Sequence, residues 1–295
     1  QYRDLWDICK ISHDEFIRTT SNKHKFTVEA FFNQVKQSND IYLGQQKGWY
    51  CVGCEEFKEG YDPEEQPFCD IHLKPLEWRN EENIFFKLSK YQTDIENLVN
   101  KENFILPLNR RNEIRNFVDK GLKDFSISRI NLSWGIPVPG YQHHTFYVWF
   151  DALVGYISSI SNNNKESALD LKFNNRCPAS LHVVGKDILR FHTVYWPAML
   201  MSAGMEVPKQ IFAHGFLTRE GKKMGKSLGN VIDPKTLITE FGIDSVRWYL
   251  LRDFQFGADG DFQLKRFIDI SNNDLANCIG NLLNRSTSMS NKWFN

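Results

Sequence analysis

Gly221 to Asn230 (GKKMGKSLGN) sets three lysines and a serine among three glycines, directly after an apolar strand-like stretch, IFAHGFLT. Glycines at 221, 225 and 229 let backbone approach a ligand and take positive φ, while Lys222, Lys223 and Lys226 add cationic charge with no acid before Asp233. That chemistry suits a polyphosphate. The alternative is a solvated hairpin tip, the usual setting of a lysine run. A P-loop of the GxxxxGK[ST] kind is excluded, because Glu220 stands where its first glycine would be.

A second chemical pattern lies in the first third: Cys51-x2-Cys54, then 14 residues, then Cys69-x2-His72. Each two-residue gap places a ligand pair on a tight turn, and a Cys3His set satisfies tetrahedral zinc with no position left for substrate, so the metal is read as structural. The linker EEFKEGYDPEEQPF is polar and carries Gly60, Pro63 and Pro67, so it has no core of its own and metal would hold the module together. Disulfide pairing is the alternative. An intracellular setting opposes it. Cys9, Cys177 and Cys278 have no partner at ligand spacing and read as small core residues.

These groups need elements to position them. In HTFYVWFDALVGYIS, residues 144–150 read as a strand rich in aromatic and β-branched residues, Asp151 as a capping residue, and 152–158 as a helix. Trp149, Ala152 and Tyr156 then share one face. In SLHVVGKDILRFHTVYWPAMLMSAG, residues 181–184 read as a buried parallel strand and Gly185 as the turn into a helix, the junction at which α/β sheets bind nucleotides. Asp187, just past the strand end, is placed to accept from a ribose. Ile188, His192 and Trp196 follow at four-residue spacing as one stripe, with Pro197 expected to bend or end the helix. Either stripe alone fits an ordinary core; together they hold indole, phenol and imidazole groups that need polar partners, which a small amphiphilic ligand would supply.

Composition sets the frame. With 295 residues, 41% of them apolar, the chain can bury a sizeable core in one large domain or two to three small ones. No run approaches the roughly 18 apolar residues of a membrane span and the start lacks signal-peptide order, so a soluble intracellular protein is expected. A formal net charge of zero argues against wholesale coating of nucleic acid, while Arg110, Arg111 and Arg115 leave room for a local basic face. The chain starts without methionine in a helical pattern (Leu5, Ile8, Ile11) and stops in another (Leu275, Ile279, Leu282, Leu283), from which a fragment is expected.

Seven ordered blocks resemble the methionyl-tRNA synthetases of bacterial or organellar type: FIRTT, IYLGQQKGWYCVGCEEF, FFKLSKY, SWGIPVPG, YVWFDALVGY, HVVGKDILRFH and HGFLTREGKKMGKSLGN. The last is similar to the KMSKS signature of class I synthetases, with Lys223, Met224, Lys226 and Ser227 matching and Gly225 in place of the first serine. The resemblance implies an α/β fold: the second half of a Rossmann-type doubly wound domain, an α+β insertion bearing the zinc knuckle, and a helical KMSKS-loop domain. Its implied boundaries are 1–40, the end of the first Rossmann half; 41–143, the insertion; 144–215, the second half; 216–270, the KMSKS and stem-contact region; and 271–295, the first helix of an anticodon-binding bundle. It implies methionine-tRNA ligase activity, with methionine, ATP carrying Mg, and methionine tRNA as partners, structural Zn, no membrane, and a cytoplasmic or organellar location.

Residue by residue, the resemblance places Trp149, Ala152, Tyr156, Ile188, His192 and Trp196 around the methionine side chain. Gly185, Asp187, Lys223, Met224, Lys226 and Ser227 would form the ATP site, with Lys223 and Lys226 acting on the triphosphate in catalysis; Cys51, Cys54, Cys69 and His72 would hold the metal. Leu153 replaces a proline common in the family, and the HIGH motif is expected before Gln1, so the fragment alone is expected to be inactive. The rival reading is a zinc-stabilised tRNA-binding or interaction module without catalysis. Another class I synthetase fits less well, since an editing insertion needs far more than the roughly 100 residues between Ile41 and His143. Helices are expected over 234–241, capped by Asp233 with Pro234 in the first turn, and over 244–253 after Gly242.

Overall fold

The computed structural model describes residues 2–53, 56–58, 60–62, 66–70, 73–130, 132–162, 164, 168–169, 177–225 and 229–294, with backbone only for Glu56 and Lys223. A short helix α1 (Tyr2–Ile8) precedes α2 (Asn22–Gln37). Ser21 caps α2 by accepting from the His24 amide, and Val28, Phe31, Phe32 and Val35 line its inner face at helical spacing, all fully buried. The chain leaves α2 through Asn39, at φ 58°, into a long antiparallel ribbon.

That ribbon pairs β1 (Ile41–Cys51) with β3 (Glu77–Phe86), in register from Ile41 opposite Phe86 to Tyr50 opposite Glu77. β2 (Glu56–Lys58) pairs along the distal end of β1. The inner end of the ribbon is anchored by Ile84 and Phe86 in the main core, while its tip has a small core of its own: Trp49, Cys51, Cys69 and Leu76. Helix α3 (Gln92–Asn100) leads to β4 (Ile105–Leu106) and then α4 (Leu108–Val118), and β5 (Phe125–Ser126) closes the four-stranded sheet in the order β2-β1-β3-β5. β6 (Ser128–Ile130) pairs antiparallel with β7 (His144–Phe146).

The α/β layer follows. β8 (His182–Gly185) runs parallel to β9 (Ile211–His214), which runs parallel to β4, so the sheet order is β4-β9-β8. Helices α5 (Val148–Ile160) and α6 (Trp196–Ser202) pack with α2 around a cluster of Phe31, Phe32, Phe146, Phe150 and Trp196, with ring centroids 5.0 to 6.3 Å apart in the contacting pairs. Phe146 and Phe150 stack, while the other pairs are tilted or edge-on, the geometries that aromatic quadrupoles favour.

Four sequence expectations change here. The strand read as buried over 181–184 is β8, His182–Gly185, with Leu181 outside it and both Leu181 and Val183 exposed. Residues 144–150 are not one strand: β7 ends at Phe146, α5 starts at Val148, and Tyr147 is its N-cap, so Asp151 lies in the first helical turn rather than capping it. Pro197 neither bends nor ends a helix, because it occupies the first turn of α6, where its missing N–H is unneeded. Cys9 and Cys177 are half-buried and Cys278 is exposed, so none of the three is a core residue.

A smaller body completes the chain. β10 (Leu217–Arg219) pairs antiparallel with β11 (Lys222–Lys223) and parallel with β12 (Gly260–Phe262). α7 (Pro234–Phe241) is capped by the Asp233 carboxylate, and Gly242, at φ 80°, turns the chain into α8 (Ile243–Arg252), so both expected helices form. Val246, Tyr249, Phe262 and Phe267 are its core. α9 (Leu264–Ile270), a π-helical run over Ser271–Gly280, and α10 (Asn281–Phe294) follow, with Ile279, Leu282, Leu283 and Trp293 exposed. Among the described residues no helix is long and apolar enough to cross a membrane.

Candidate active site

The two sequence stripes meet. Tyr156, from α5, donates its hydroxyl to His192 Nε2 at 2.8 Å, and His192 Nδ1–H donates to the Ile188 carbonyl at 2.9 Å. The backbone oxygen can only accept, so Nδ1 carries a proton, and in the neutral imidazole Nε2 accepts from the Tyr156 hydroxyl. Burial lowers the His192 pKa, so the accepting form persists below the ordinary histidine range. Trp149 meets His192 edge-on at 6.3 Å, and Trp196, 1% exposed, lies 6.3 Å from Tyr156. Tyr156 is 40% exposed although its hydroxyl reaches inward, so one edge of the ring remains open to a ligand. Half-buried Ala152 lies on α5 between Trp149 and Tyr156.

The segment carrying His192 is not a plain α-helix. A 3-10 turn (Lys186–Ile188) leaves β8, a π-helical stretch (Phe191–Tyr195) follows, and only then does α6 begin. The wider turn lets consecutive residues both serve the site: Phe191 stacks on Trp149 at 4.0 Å and 11° while His192 accepts from the Tyr156 hydroxyl. Four-residue spacing found His192 and missed Phe191.

Two further histidines were missed. His182, 4% exposed on β8, stacks under Tyr156 at 4.1 Å and 26°. Burial, and then the nearby His192, push its pKa down to about 4. Its neutral form therefore contributes stability that is fully present above the ordinary value of 6.5 and is lost as pH falls from there toward 4. His24, fully buried on α2, contacts the Ser158 hydroxyl at 2.8 Å and the Asp151 carboxylate at 2.5 Å, which ties α5 to α2. For His182 the only sequence signal was a histidine beside two valines; His24, between Lys23 and Lys25, gave none.

At the strand ends, Gly185 lies opposite His214, at the carboxyl edge of two parallel strands. A Cβ on Gly185 would meet Asp187 Oδ1 at 2.7 Å, so glycine is what allows the exposed Asp187 carboxylate to fold back over the strand end. A cleft of about 730 Å³, whose lining includes Lys58, Arg129, Tyr147, Asp187 and Phe191, opens beside this turn.

The lysine segment is a true hairpin. Glu220 and Gly221 both have positive φ, 53° and 72°, the signature of a two-residue type I′ turn, and Arg219 pairs with Lys222. Asp261 fastens it by accepting from the Gly221 amide and the Thr218 hydroxyl, both at 2.7 Å. The Gly225 amide donates to Asn230 Oδ1 at 2.9 Å, drawing the loop's two arms together. Half-buried Met224 follows β11. Lys226, Ser227 and the Lys223 side chain lie outside the described residues.

At the ribbon tip, β1 ends at Cys51, which pairs with Glu56 on the antiparallel β2. Leu73 N–H donates to the Cys69 carbonyl at 2.7 Å, closing a turn. Cys51 and Cys69 are 3% and 1% exposed in one cluster, which brings the two thiols to the same place. Cys54 and His72 lie outside the described residues, and among the described residues no group of three or more metal-ligating side chains forms.

The chain matches the family of tRNA synthetases class I (M) over residues 1–69 and 54–287. It is 53% identical over 294 residues to methionine-tRNA ligase of Nostoc sp., covering 99% of this chain and 56% of that protein. It is 51% identical to the chloroplastic/mitochondrial methionine-tRNA ligase of Arabidopsis thaliana, covering 98% and 47%. The structure of Mycobacterium tuberculosis methionyl-tRNA synthetase in complex with methionyl-adenylate superposes with a TM-score of 0.88 at 42% identity, over 99% of this chain and 57% of that one. The chain therefore belongs to the methionyl family of class I tRNA synthetases. It spans about half the length of the curated relatives it matches.

Proposed function

We propose that this chain supplies the methionine pocket, ribose turn and phosphate loop of a methionine-tRNA ligase. The Tyr156–His192 hydrogen bond within the Trp149, Phe191 and Trp196 rings carries the reading: it is an open-edged aromatic pocket with a neutral, fixed polar pair, beside a nucleotide-type strand end. Such a pocket suits an unbranched, polarizable thioether. The methionine carboxylate would attack the α-phosphorus of ATP, forming the acyl-phosphate bond as the bond to pyrophosphate breaks. Asp187 would hold the ribose, and the loop of Lys223, Met224, Lys226 and Ser227 would follow charge onto the leaving pyrophosphate, with Mg on the triphosphate. The carboxylate is itself the nucleophile, so no side-chain base is required and positioning dominates. The second step would pass methionine to the terminal ribose of methionine tRNA.

The boundaries at 40, 143, 215 and 270 are proposed as the divisions between these working parts. A cytoplasmic or organellar site is proposed, since the relatives include bacterial enzymes and a chloroplastic/mitochondrial one. Charging of methionine tRNA with labelled methionine by the full-length gene product tests the activity; failure to charge it under conditions where a bacterial relative does would refute it.

Zinc is proposed at Cys51, Cys54, Cys69 and His72. The two described thiols fit, being 3% and 1% exposed in one small cluster with Trp49 and Leu76. So small a core cannot order the ribbon tip unaided. Chelation is expected to release one zinc per chain and to expose Trp49, seen as a red shift in tryptophan emission; a metal-free protein with unchanged emission would contradict the assignment.

A further inference from the structure

Lys186 immediately precedes Asp187, and its ammonium reaches onto another body. Its Nζ lies 2.7 and 2.6 Å from the two carboxylate oxygens of Asp259 and 4.6 Å above the centre of the Phe216 ring. Asp259 Oδ1 also accepts from the Phe216 amide at 2.8 Å, and Gly260 N–H returns to the Phe216 carbonyl at 2.9 Å. Hydrogen bonds from Lys186 and then from Phe216 hold the Asp259 carboxyl below its ordinary range.

The positions of these residues matter more than the energy of the pair. Lys186 sits on the turn that carries Asp187; Asp259 precedes β12; β12 pairs with β10; and β10 pairs with β11, which begins the lysine loop. An ion pair with 21% and 51% exposed side chains contributes little to global stability. Three anchored contacts on one carboxylate do fix a distance and an angle.

We propose that Lys186 and Asp259 form a clasp that holds the ribose turn and the phosphate-loop hairpin in register, and that both are positioning residues which do not touch nucleotide. This rests on the reading that Asp187 meets ribose and the 221–230 loop meets phosphate.

The test is a double-mutant cycle in the full-length gene product, using Lys186→Met, which keeps the stem over Phe216, Asp259→Asn, which keeps the bond from the Phe216 amide, and the pair together. Two quantities are measured: hydrogen exchange of the 217–223 amides, and methionine-dependent ATP-pyrophosphate exchange. Each single variant is expected to speed amide exchange about tenfold and to lower kcat about tenfold, with KM for methionine within twofold. The double variant should match the worse single variant within twofold. Unchanged amide exchange in the single variants overturns the clasp, and so does a double variant whose losses multiply to about a hundredfold, as they would if Lys186 bound nucleotide on its own. If the parent shows no methionine-dependent exchange, the functional reading fails, and the amide data still decide the clasp.

Discussion

Gly215→Ala is expected to slow adenylate formation about a hundredfold and to lower thermal stability sharply, although glycine to alanine is the smallest addition a side chain can make. A Cβ at 215 would fall inside contact distance of the Ala258 carbonyl and 2.5 Å from the Asp259 amide nitrogen. Those atoms are backbone, so no side chain can rotate away, and the two segments must separate. Separation strains the bonds that join them: Phe216 N–H to Asp259, Gly260 N–H to the Phe216 carbonyl, and the pairing of β10 with β12. Overpacking of this kind costs about 3 kcal/mol, a fall of roughly 10 °C in Tm. Displacing the loop by even an ångström would lower kcat by about a hundredfold. Gly221→Ala is the control: nothing lies within 4 Å of its Cβ, and the cost comes from its positive φ, about 1 kcal/mol. Near-parental melting and activity in Gly215→Ala, measured by calorimetry and pyrophosphate exchange, would show that the junction is looser than described.

His192→Ala should cost the enzyme its discrimination between methionine and norleucine. The imidazole is 2% exposed and accepts from the Tyr156 hydroxyl, whose burial pushes its own pKa up. Removing it leaves that hydroxyl to find water or to turn, and leaves the Ile188 carbonyl without its donor, a loss of about 1 to 3 kcal/mol. An apolar pocket distinguishes ligands that differ by one heavy atom by only about 1 to 3 kcal/mol, so losing the polar pair should erase most of the selectivity, about tenfold to a hundredfold in kcat/KM. Tyr156→Phe should lose less, because the ring stack on His182 remains. Acid acts on the same pair: protonation of His192 would take away the Tyr156 acceptor, and burial delays this to below pH 6.5. Unchanged discrimination against norleucine in His192→Ala would remove the residue from the pocket.

The pocket was legible because side-chain chemistry repeated at helical spacing, and that spacing survived a segment that is not a regular helix. Ile188 and His192 still form an i to i+4 contact through the carbonyl and Nδ1, although the chain passes from a 3-10 turn through a π-helical stretch. Periodicity alone could not show that stretch, so Phe191 was not singled out and its stack on Trp149 was missed. His24 was invisible for another reason: its partners, Asp151 and Ser158, lie 127 and 134 residues away, and only tertiary packing pairs them. Likewise, IFAHGFLT reads as one strand, whereas the close approach of residues 258–259 to Gly215 divides it into β9 and β10. The caps at Asp233 and Gly242 were legible because their chemistry is local.

Pyrophosphate exchange with a panel of amino acids puts the central claim to its most direct test. Labelled pyrophosphate should enter ATP, catalysed by the full-length gene product, saturably with methionine and at background with leucine, isoleucine and cysteine. Exchange driven equally by any of those three, or none with methionine, would contradict the assignment of the Trp149, Tyr156, His192 and Trp196 cage to methionine.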